Sequence, residues 1–300
     1  MIMLAGFRDV LGEGFTWIGQ VDSVRGLSAD GLVNAVKSMG DISAVIVSEP
    51  RSILGVANTV VVSGIIKRET GLEVICQLTC RDRNRVALLS DVLAAGMLGV
   101  NSFLVVDGSH PKMGDIPQAM AVFDVDSTQL VQMLRDLSAK GLTPGGHRVD
   151  SPLNLCVGVI GVPSASPLEV EVKRIERASR IGLDFILTYP TFSIEALKQF
   201  HSEVKRLKVP VIVGVRMPSD VKDARILNED PRVTVPPELL SNLEKAEGLK
   251  GEEKIEACVK ANLDFFEDFI KEVKSDGFAG CSIHSPGIEA AVKELVSKLK

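Results

Sequence analysis

The most informative segment of the chain is residues 73–86, which read Glu-Val-Ile-Cys-Gln-Leu-Thr-Cys-Arg-Asp-Arg-Asn-Arg-Val. It begins as a segment typical of a buried strand, passes into a dense polar turn, and continues from Val86 with apolar residues at helical spacing. In parallel α/β folds, the loop at the carboxyl end of a strand binds ligands. Three arginines in such a loop predict an anionic ligand, because the guanidinium fork matches phosphate and carboxylate. The alternative is a helix capped by Asp82 or Asn84, with the arginines pointing into water.

The same alternation of strand and helix recurs along the whole chain. The predicted strands are Phe15–Gln20, Ala44–Ser48, Val74–Thr79, Ser102–Asp107, Leu155–Val162, Asp184–Tyr189, Val209–Val215 and Gly277–Ile283. The predicted helices are Ala29–Met39, Ile53–Glu69, Val86–Leu98, Ser127–Ala139, Pro167–Ile181, Ile194–Leu207, Ile255–Lys274 and Ile288–Leu299. Eight such units predict an α/β fold of the (β/α)8 class, a TIM barrel, with residues 1–300 forming a single domain. A doubly wound open sheet shares this alternation and is the alternative.

Composition narrows the class of protein further. Hydrophobic residues make up 45% of the chain but aromatic residues only 4%, which predicts an aliphatic core and suits a parallel sheet buried on both faces. The net charge of −5 argues against a nucleic-acid partner. Without a membrane-spanning apolar run or a secretory signal, a cytoplasmic location is expected. The 5 cysteines lie outside any zinc-binding pattern, so we expect reduced thiols and no metal site.

Several shorter motifs accompany the opening stretch. They are Gly71–Val74, Gln77–Asn84, Leu98–Val100, Val122–Val125, Gly182–Phe185 with Thr188 and Phe192, Val209–Val215, and Gly280 with His284. In this order they resemble the methylenetetrahydrofolate reductase family over nearly the whole chain. The resemblance implies a (β/α)8 barrel with a flavin, FAD or FMN, at its carboxyl face. The flavin would pass a hydride to methylene-tetrahydropterin and give methyl-tetrahydropterin, which makes the protein an oxidoreductase of one-carbon metabolism.

The resemblance also assigns a cofactor site and an electron source. The flavin-binding residues that it implies are Ser48, Gln77, Thr79, Arg81, Asp82, Asn84, Asp107, Gly108, Ser109 and His110. Electrons would come from a reduced nicotinamide or from a partner electron-transfer protein. The chain lacks the Gly-x-Gly-x-x-Gly turn of a separate nicotinamide-binding domain. A homo-oligomer and a subunit of a larger complex are both open.

The chain departs from the family pattern at the residues that carry the chemistry. The family's glutamate at the end of the first strand, thought to act as general acid, aligns with Gln20. Asp22 lies two residues on and points the same way as Gln20 if the strand stays extended, but we expect it to be a polar loop residue. The family's aspartate after the fourth strand aligns with Ser109, and Asp107 lies two residues earlier. We therefore expect Gln20, Asp107 and Ser109 at the catalytic positions.

Four residues are expected to bind the substrate, namely Gln20, Tyr189, Phe192 and His284. Tyr189 replaces the family's glutamine after the sixth strand, and its ring can stack on a pterin while its hydroxyl donates a hydrogen bond. His284 and His110 are candidate proton donors, because histidine titrates near neutral pH. The alternatives are polar loop roles for the histidines and a place in the core for Phe192.

Three functions fit this pattern. The first is a flavin-dependent methylene-tetrahydropterin reductase that uses tetrahydrofolate or an analogue. The second is a methyltransferase, or a methyl-pterin-binding subunit, that has kept the barrel and lost the flavin and its chemistry. The third is a flavin- or pterin-binding structural subunit of a larger complex. The family's glutamate, aspartate and glutamine are all replaced in this chain. The three changes together favour the second function more strongly than any one of them alone would.

Overall fold

A computed structural model describes residues 6–12, 14–50, 55–150 and 153–300. Its strands are β1 Thr16–Asp22, β2 Ala44–Ser48, β3 Glu73–Thr79, β4 Ser102–Val106, β5 Cys156–Gly161, β6 Phe185–Thr188, β7 Val211–Arg216 and β8 Gly280–His284. Each strand pairs in parallel with the next, and β8 pairs with β1, so the eight strands close into a barrel. This confirms the predicted TIM barrel and excludes the open sheet.

Apart from the first helix, which closes one end of the barrel, the helices surround the barrel on its outer side. They are α1 Phe7–Val10, α2 Asp30–Ser38, α3 Thr59–Thr70, α4 Arg85–Met97, α5 Ser127–Lys140, α6 Leu168–Ile181, α7 Ile194–Val204, α8 Val221–Leu227, α9 Pro237–Lys245, α10 Gly251–Ser275 and α11 Ala290–Leu299. Asn58 and Asp126 each accept a backbone hydrogen bond at the start of a helix, and left-handed glycines end α3 and α5. No helix in the described part of the chain is long and apolar enough to cross a membrane.

The predicted element bounds differ from the observed ones at places that affect the site. β1 continues to Asp22, so this residue belongs to a strand and not to a loop as expected. β4 ends at Val106, which leaves Asp107 just outside the barrel. The helix predicted from Ile53 begins at Thr59, and residues 53 and 54 lie outside the described residues. The prolines between residues 217 and 237 predict a long connection without a helix, and the structure places a helix, α8, within it.

Alternation along the strands separates an inner apolar layer from an outer one. The interior layer consists of Phe7, Ile18, Ala44, Ile46, Ile75, Leu104, Cys156, Phe185, Leu187 and Ile212. Neighbouring residues such as Trp17, Val45 and Val74 belong to the larger layer between the barrel and the helices. Burying each large aliphatic or aromatic side chain stabilises the fold by about 1.5–3 kcal/mol.

The interior changes from apolar to polar along the barrel axis. The inward series on β1 runs from Ile18 to Gln20 and Asp22, because successive side chains of a strand point to opposite faces. On β2 the inward series runs from Ile46 to Ser48. The carboxyl end of the barrel therefore carries a polar layer on an apolar floor.

The amino-terminal end of the barrel is closed by α1. The fully buried Phe7 packs edge-on against the ring of Phe185 at 5.4 Å. That ring occupies the space beside Gly158, where a Cβ would lie 2.3 Å from it. Arg8 holds the helix in place through Asp184 at 2.8 Å and the Leu155 carbonyl at 2.9 Å. The four-residue helix acts as a plug, so the barrel opens at its carboxyl end.

Candidate functional site

A chain of hydrogen bonds links β1 and β2 at the open end of the barrel. Gln20 Nε2 donates to Ser48 Oγ at 3.0 Å, and Ser48 Oγ donates to Asp22 Oδ1 at 2.7 Å. On the other side, Ser282 Oγ of β8 lies 3.5 Å from Gln20 Oε1. The register explains these contacts, because Asp22 lies opposite Ser48 and Gln20 opposite His284. The amide of Gln20 is thus fixed between two neighbouring strands.

Asp22 and His284 form a loose pair beside this chain of hydrogen bonds. His284 Nε2 lies 3.4 Å from Asp22 Oδ2, and this buried nitrogen has no hydrogen-bond partner within the described residues. The Asp22 side chain is 34% exposed and that of His284 only 12%, so the carboxylate is the more open member of the pair. Burial lowers the pKa of His284, and the nearby Asp22 carboxylate opposes that effect.

Arg216 lies on the other side of His284, opposite it in the register between β7 and β8. Its guanidinium donates to both carboxylate oxygens of Asp223 at 2.9 Å and to the Met217 carbonyl at 2.5 Å. The positive charge is therefore balanced by Asp223 in the first turn of α8. Arg216 still adds to the lowering of the His284 pKa.

The arginines that follow β3, Arg81, Arg83 and Arg85, all form ion pairs with carboxylates. Arg81 donates to Asp82 at 2.6–2.9 Å and to Glu49 Oε2 at 3.1 Å. Arg83 donates to Glu49 Oε1 at 2.7 Å and pairs with Asp91 at 2.9 Å. The Glu49 side chain, only 5% exposed, thus bridges both arginines. Each buried guanidinium thus already has carboxylate partners, and anion binding by this run of arginines stays a prediction.

The remaining residues of this turn have local structural contacts. The side chain of Asn84 accepts hydrogen bonds from Val86 N and Ala87 N and caps α4, which is the alternative that the sequence offered. Arg85 pairs with Asp124 at 2.9 Å instead of pointing freely into water. Asp82 and Asn84 therefore shape the turn.

The loop after β4 packs closely on the end of β3. Asp107 accepts hydrogen bonds from Ser127 N at 2.6 Å and Ser127 Oγ at 2.9 Å, which ties it to the start of α5. Gly108 adopts a φ of +85°, and a Cβ at this position would lie 2.4 Å from Thr79 Cγ2. Ser109 is half-buried, while the exposed His110 accepts a hydrogen bond from Lys112 N. Asp107 and His110 both serve local capping contacts.

The same loop crosses toward the connections that follow β1 and β2. Asp115 pairs with Arg25, and the side chain of Ile116 lies close to Gly55. Val122 N donates to the Arg81 carbonyl at 2.8 Å. These contacts place residues 108–126 beside the mouth of the barrel.

Tyr189 is held by the connection that follows β7. Its hydroxyl donates to Asp230 Oδ2 at 2.6 Å, and the guanidinium of Arg232 stacks 4.0 Å from the centre of its ring. Burial opposes ionisation of Asp230, but hydrogen bonds from Arg232 and Tyr189 outweigh it and lower its pKa to about 2. Phe192 lies elsewhere, buried in the outer layer against Phe265 and Phe266.

The structure therefore brings together only part of the predicted site. Gln20, Ser48 and His284 meet at the mouth, and Gln77 and Thr79 lie on the inward face of β3 in the same layer. The buried hydroxyl of Thr79 has no hydrogen-bond partner among the described residues. Sequence reasoning missed the positions of Ser282 and Arg216 in this layer, and it offered this position for Asp22 as the alternative to a loop. The alternation from Ile18 through Gln20 was the available signal for Asp22.

A cavity lies away from the open end of the barrel, on its outer side. It has a volume of about 370 Å³ and lies along α5 and the turn after it, lined by residues that include Gln129, Met133, Lys140 and Thr143. In the described ranges, no three His, Cys, Asp or Glu side chains come together as a metal site would require.

The fold and the polar mouth define a (β/α)8-barrel protein with a candidate binding site at the carboxyl ends of its strands. The chain belongs to the methylenetetrahydrofolate reductase family, because the family's sequence pattern matches residues 28–299. The match begins after β1, so it leaves out the strand that carries Gln20 and Asp22. A comparison with curated proteins finds no match.

Solved structures show the same fold at low sequence identity. An uncharacterized protein from Clostridium thermocellum that binds two copies of 5-methyl-5,6,7,8-tetrahydrofolic acid is 14% identical, with a TM-score of 0.62 over 98% of both chains. The trigonal form of 2,3-dimethylmalate lyase, a PEP mutase/isocitrate lyase superfamily member, is 13% identical with a TM-score of 0.55, over 98% of this chain and 80% of its own. At such identities the likeness establishes the fold alone.

Proposed function

We propose that this protein is a methylene-tetrahydropterin reductase of one-carbon metabolism, with tetrahydrofolate or an analogue as the carrier. The observation that carries the proposal is the polar layer on the apolar floor of the barrel, in a chain of the methylenetetrahydrofolate reductase family. A pteridine ring is flat and has hydrogen-bonding groups along its edge. The amides of Gln20 and Gln77 and the hydroxyl of Ser48 are neutral groups that suit such an edge, while the apolar floor suits a ring face.

The mouth suits the ring of a flavin better than its phosphates. Gln77 and the unpartnered hydroxyl of Thr79 would hold the polar edge of the ring, next to the close backbone approach at Gly108. Arg81 and Arg83 do not fit a phosphate, because Glu49, Asp82 and Asp91 neutralise them. When bound, a flavin supplies hydride transfer between a reduced nicotinamide, or a partner electron-transfer protein, and the substrate.

A second candidate function is non-reductive binding of a methyl-tetrahydropterin, for delivery of its methyl group to a partner. Two observations support it. Neutral side chains, Gln20 and Ser109, stand where the family pattern has acids, and the arginine run is closed by ion pairs. The Clostridium thermocellum protein of the same fold binds 5-methyl-tetrahydrofolate, which is consistent with a barrel of this kind holding a methylated carrier.

Four measurements on the purified protein separate these functions. Calorimetry with 5-methyl-tetrahydrofolate tests carrier binding, absorbance after denaturation tests for a bound flavin, and flavin titration tests uptake. Oxidation of a reduced nicotinamide in the presence of methylene-tetrahydrofolate tests turnover. Carrier binding with flavin-dependent turnover supports the reductase. Carrier binding with neither flavin nor turnover supports the second function, and the absence of carrier binding overturns both.

A further inference from the structure

We propose that Asp22, held by Ser48 and backed by His284, is the catalytic proton donor of this barrel. This inference rests on the proposed function and deepens it, because it replaces the neutral Gln20 as the source of the proton. The carboxylate lies on the same strand face as Gln20, two residues nearer the open end.

The reaction needs an acid at the mouth. The methylene carbon of the substrate is bonded to two nitrogens, N5 and N10, and the bond to N10 must break before a hydride can add. A proton adds to N10, the electron pair of the breaking carbon–nitrogen bond stays on N10, and the N5 lone pair forms a carbon–nitrogen double bond. The hydride, supplied by a dihydroflavin or a reduced nicotinamide, then reduces that double bond to the methyl group. Without protonation the nitrogen leaves as a strongly basic anion, which is slow.

The other carboxylates near the mouth are committed elsewhere. Glu49 bridges two arginines, and Asp107 binds the start of α5 through Ser127. Asp223 is paired with Arg216, and Asp230 is paired with Arg232. Asp22 differs from these four, because its side-chain contacts among the described residues are the Ser48 hydroxyl and the His284 imidazole, and neither is a permanent cation.

The geometry suits delivery of a proton by Asp22. Its side chain is 34% exposed while the imidazole behind it is largely buried, so a ligand in the mouth meets the carboxyl group first. Ser48 donates to Oδ1 and fixes its rotamer, which leaves Oδ2 next to His284 Nε2 at 3.4 Å. That nitrogen has no other hydrogen-bond partner among the described residues, so it is available to exchange a proton with Oδ2.

Charged groups around the pair set how it titrates. Arg216 approaches His284 from β7, Asp223 from the start of α8, and Glu289 from the turn before α11. Arg216 disfavours the imidazolium, while the three carboxylates Asp22, Asp223 and Glu289 favour it. His284 is thus a positioning residue whose Nε2 lies 3.4 Å from Asp22 Oδ2, and its removal should change the pH profile of turnover.

The test uses Asp22→Asn, which keeps the shape of the side chain and its contact with Ser48. We expect the rate of methylene-tetrahydrofolate reduction to fall by about 100-fold or more, with the dissociation constant for 5-methyl-tetrahydrofolate changed by less than about threefold. Asp268→Asn, an exposed aspartate on α10, is the matched control and should behave as the parent. His284→Gln should retain binding and shift the pH profile of kcat.

Two further measurements distinguish the loss of a proton donor from the loss of the fold or of the flavin. Adding Gln20→Glu to Asp22→Asn returns a carboxyl group to the same strand face and should recover about tenfold or more of the lost rate. Calorimetry of carrier binding in buffers of different ionisation enthalpy counts the protons exchanged, and Asp22→Asn should change that count without any turnover. Parent-like turnover and proton exchange in Asp22→Asn would overturn the inference and leave the proposed function standing. A parent protein that binds no carrier overturns the proposed function itself.

Discussion

Glu49 determines the structure of the turn that follows β3. Glu49 directly follows β2 in the chain, but its carboxylate contacts two arginines that follow β3. The distances are 3.1 Å to Arg81 and 2.7 Å to Arg83. Both oxygens are therefore used, and the side chain is only 5% exposed. An ion pair buried to this degree is costly to break, because the remaining charge is left without its partner in a poorly solvated place.

Replacing Glu49 with Gln should lower the free energy of unfolding by about 2 kcal/mol, because two buried guanidinium groups lose a shared counter-charge while Asp82 and Asp91 remain. Urea denaturation followed by circular dichroism measures the change. Asp124→Asn is the control, since it removes an aspartate that pairs with an arginine of the same run at the exposed surface. Equal unfolding free energies for the two variants would show that Glu49 does not stabilise the turn.

Asp230 gives the fold a defined dependence on acid pH. Its pKa is about 2 in the folded protein against an ordinary value of 3.8, so its contribution is fully present above pH 3.8 and is lost as the pH falls toward 2. Asp230→Asn should cost on the order of 1 kcal/mol at neutral pH, allowing for screening at the partly exposed Arg232. The difference in unfolding free energy between parent and variant should shrink between about pH 4 and pH 2. A difference that stays constant over this range would contradict the assignment.

At the scale of elements, α1 supplies a side chain that the barrel itself lacks. Phe7 reaches the interior layer from outside the eight units and fills the amino-terminal end beside Phe185. The small residue at Gly158 leaves room for that arrangement. Large and small residues thus alternate between neighbouring strands so that the interior is filled without a void.

Replacing Phe7 with Ala should lower the free energy of unfolding by about 3 kcal/mol, because a fully buried ring is lost and a cavity remains. Phe123→Ala is the matched control, since Phe123 is 41% exposed on the loop after β4 and should change stability little. Chemical denaturation of both variants measures the contrast. If the two substitutions cost the same, α1 does not close the barrel as described.

The elements also show what the sequence could predict. Eight strands followed from apolar runs and helical spacing, since both are local patterns that survive in the fold. The helix α1 spans four residues, fewer than a periodicity needs, and α8 lay within a proline-containing segment that predicted a loop. Asp22 was assigned to a loop because the apolar alternation of β1 stops at Gln20.

The candidate site was predictable where it depends on position along a strand. Gln20, Ser48 and His284 end their strands on the inward face, so they meet once the barrel closes. The ion pairs of the arginine run could not be predicted, because the partners of Arg83, Glu49 and Asp91, come from the residue after β2 and from α4. Local sequence signals do not show which distant carboxylate will neutralise an arginine.

At the scale of the whole molecule, stability and binding are assigned to opposite ends of the barrel. The amino-terminal end is apolar and plugged by α1, whereas the carboxyl end carries the polar layer and the longer loops. This division is characteristic of (β/α)8 barrels, in which loop residues can change without loss of the core. It is consistent with a family member that keeps the barrel while Gln20 and Ser109 are expected, from the resemblance, where the family pattern has acids.

The thiols report on this organisation, because all five cysteines are free and buried in the two apolar layers or against the helices. Burial raises the pKa of Cys76 to about 11 and those of Cys80 and Cys156 to about 12. At pH 8 the native protein should therefore react with a disulfide reagent far more slowly than the unfolded chain, which should report all 5 thiols at once. Labelling should accelerate in Phe7→Ala and Glu49→Gln in proportion to their loss of stability, because exposure of the thiols requires the barrel to open. Rapid labelling of one thiol in the native parent, identified by mass spectrometry, would instead reveal a local opening and contradict a barrel that unfolds as one unit.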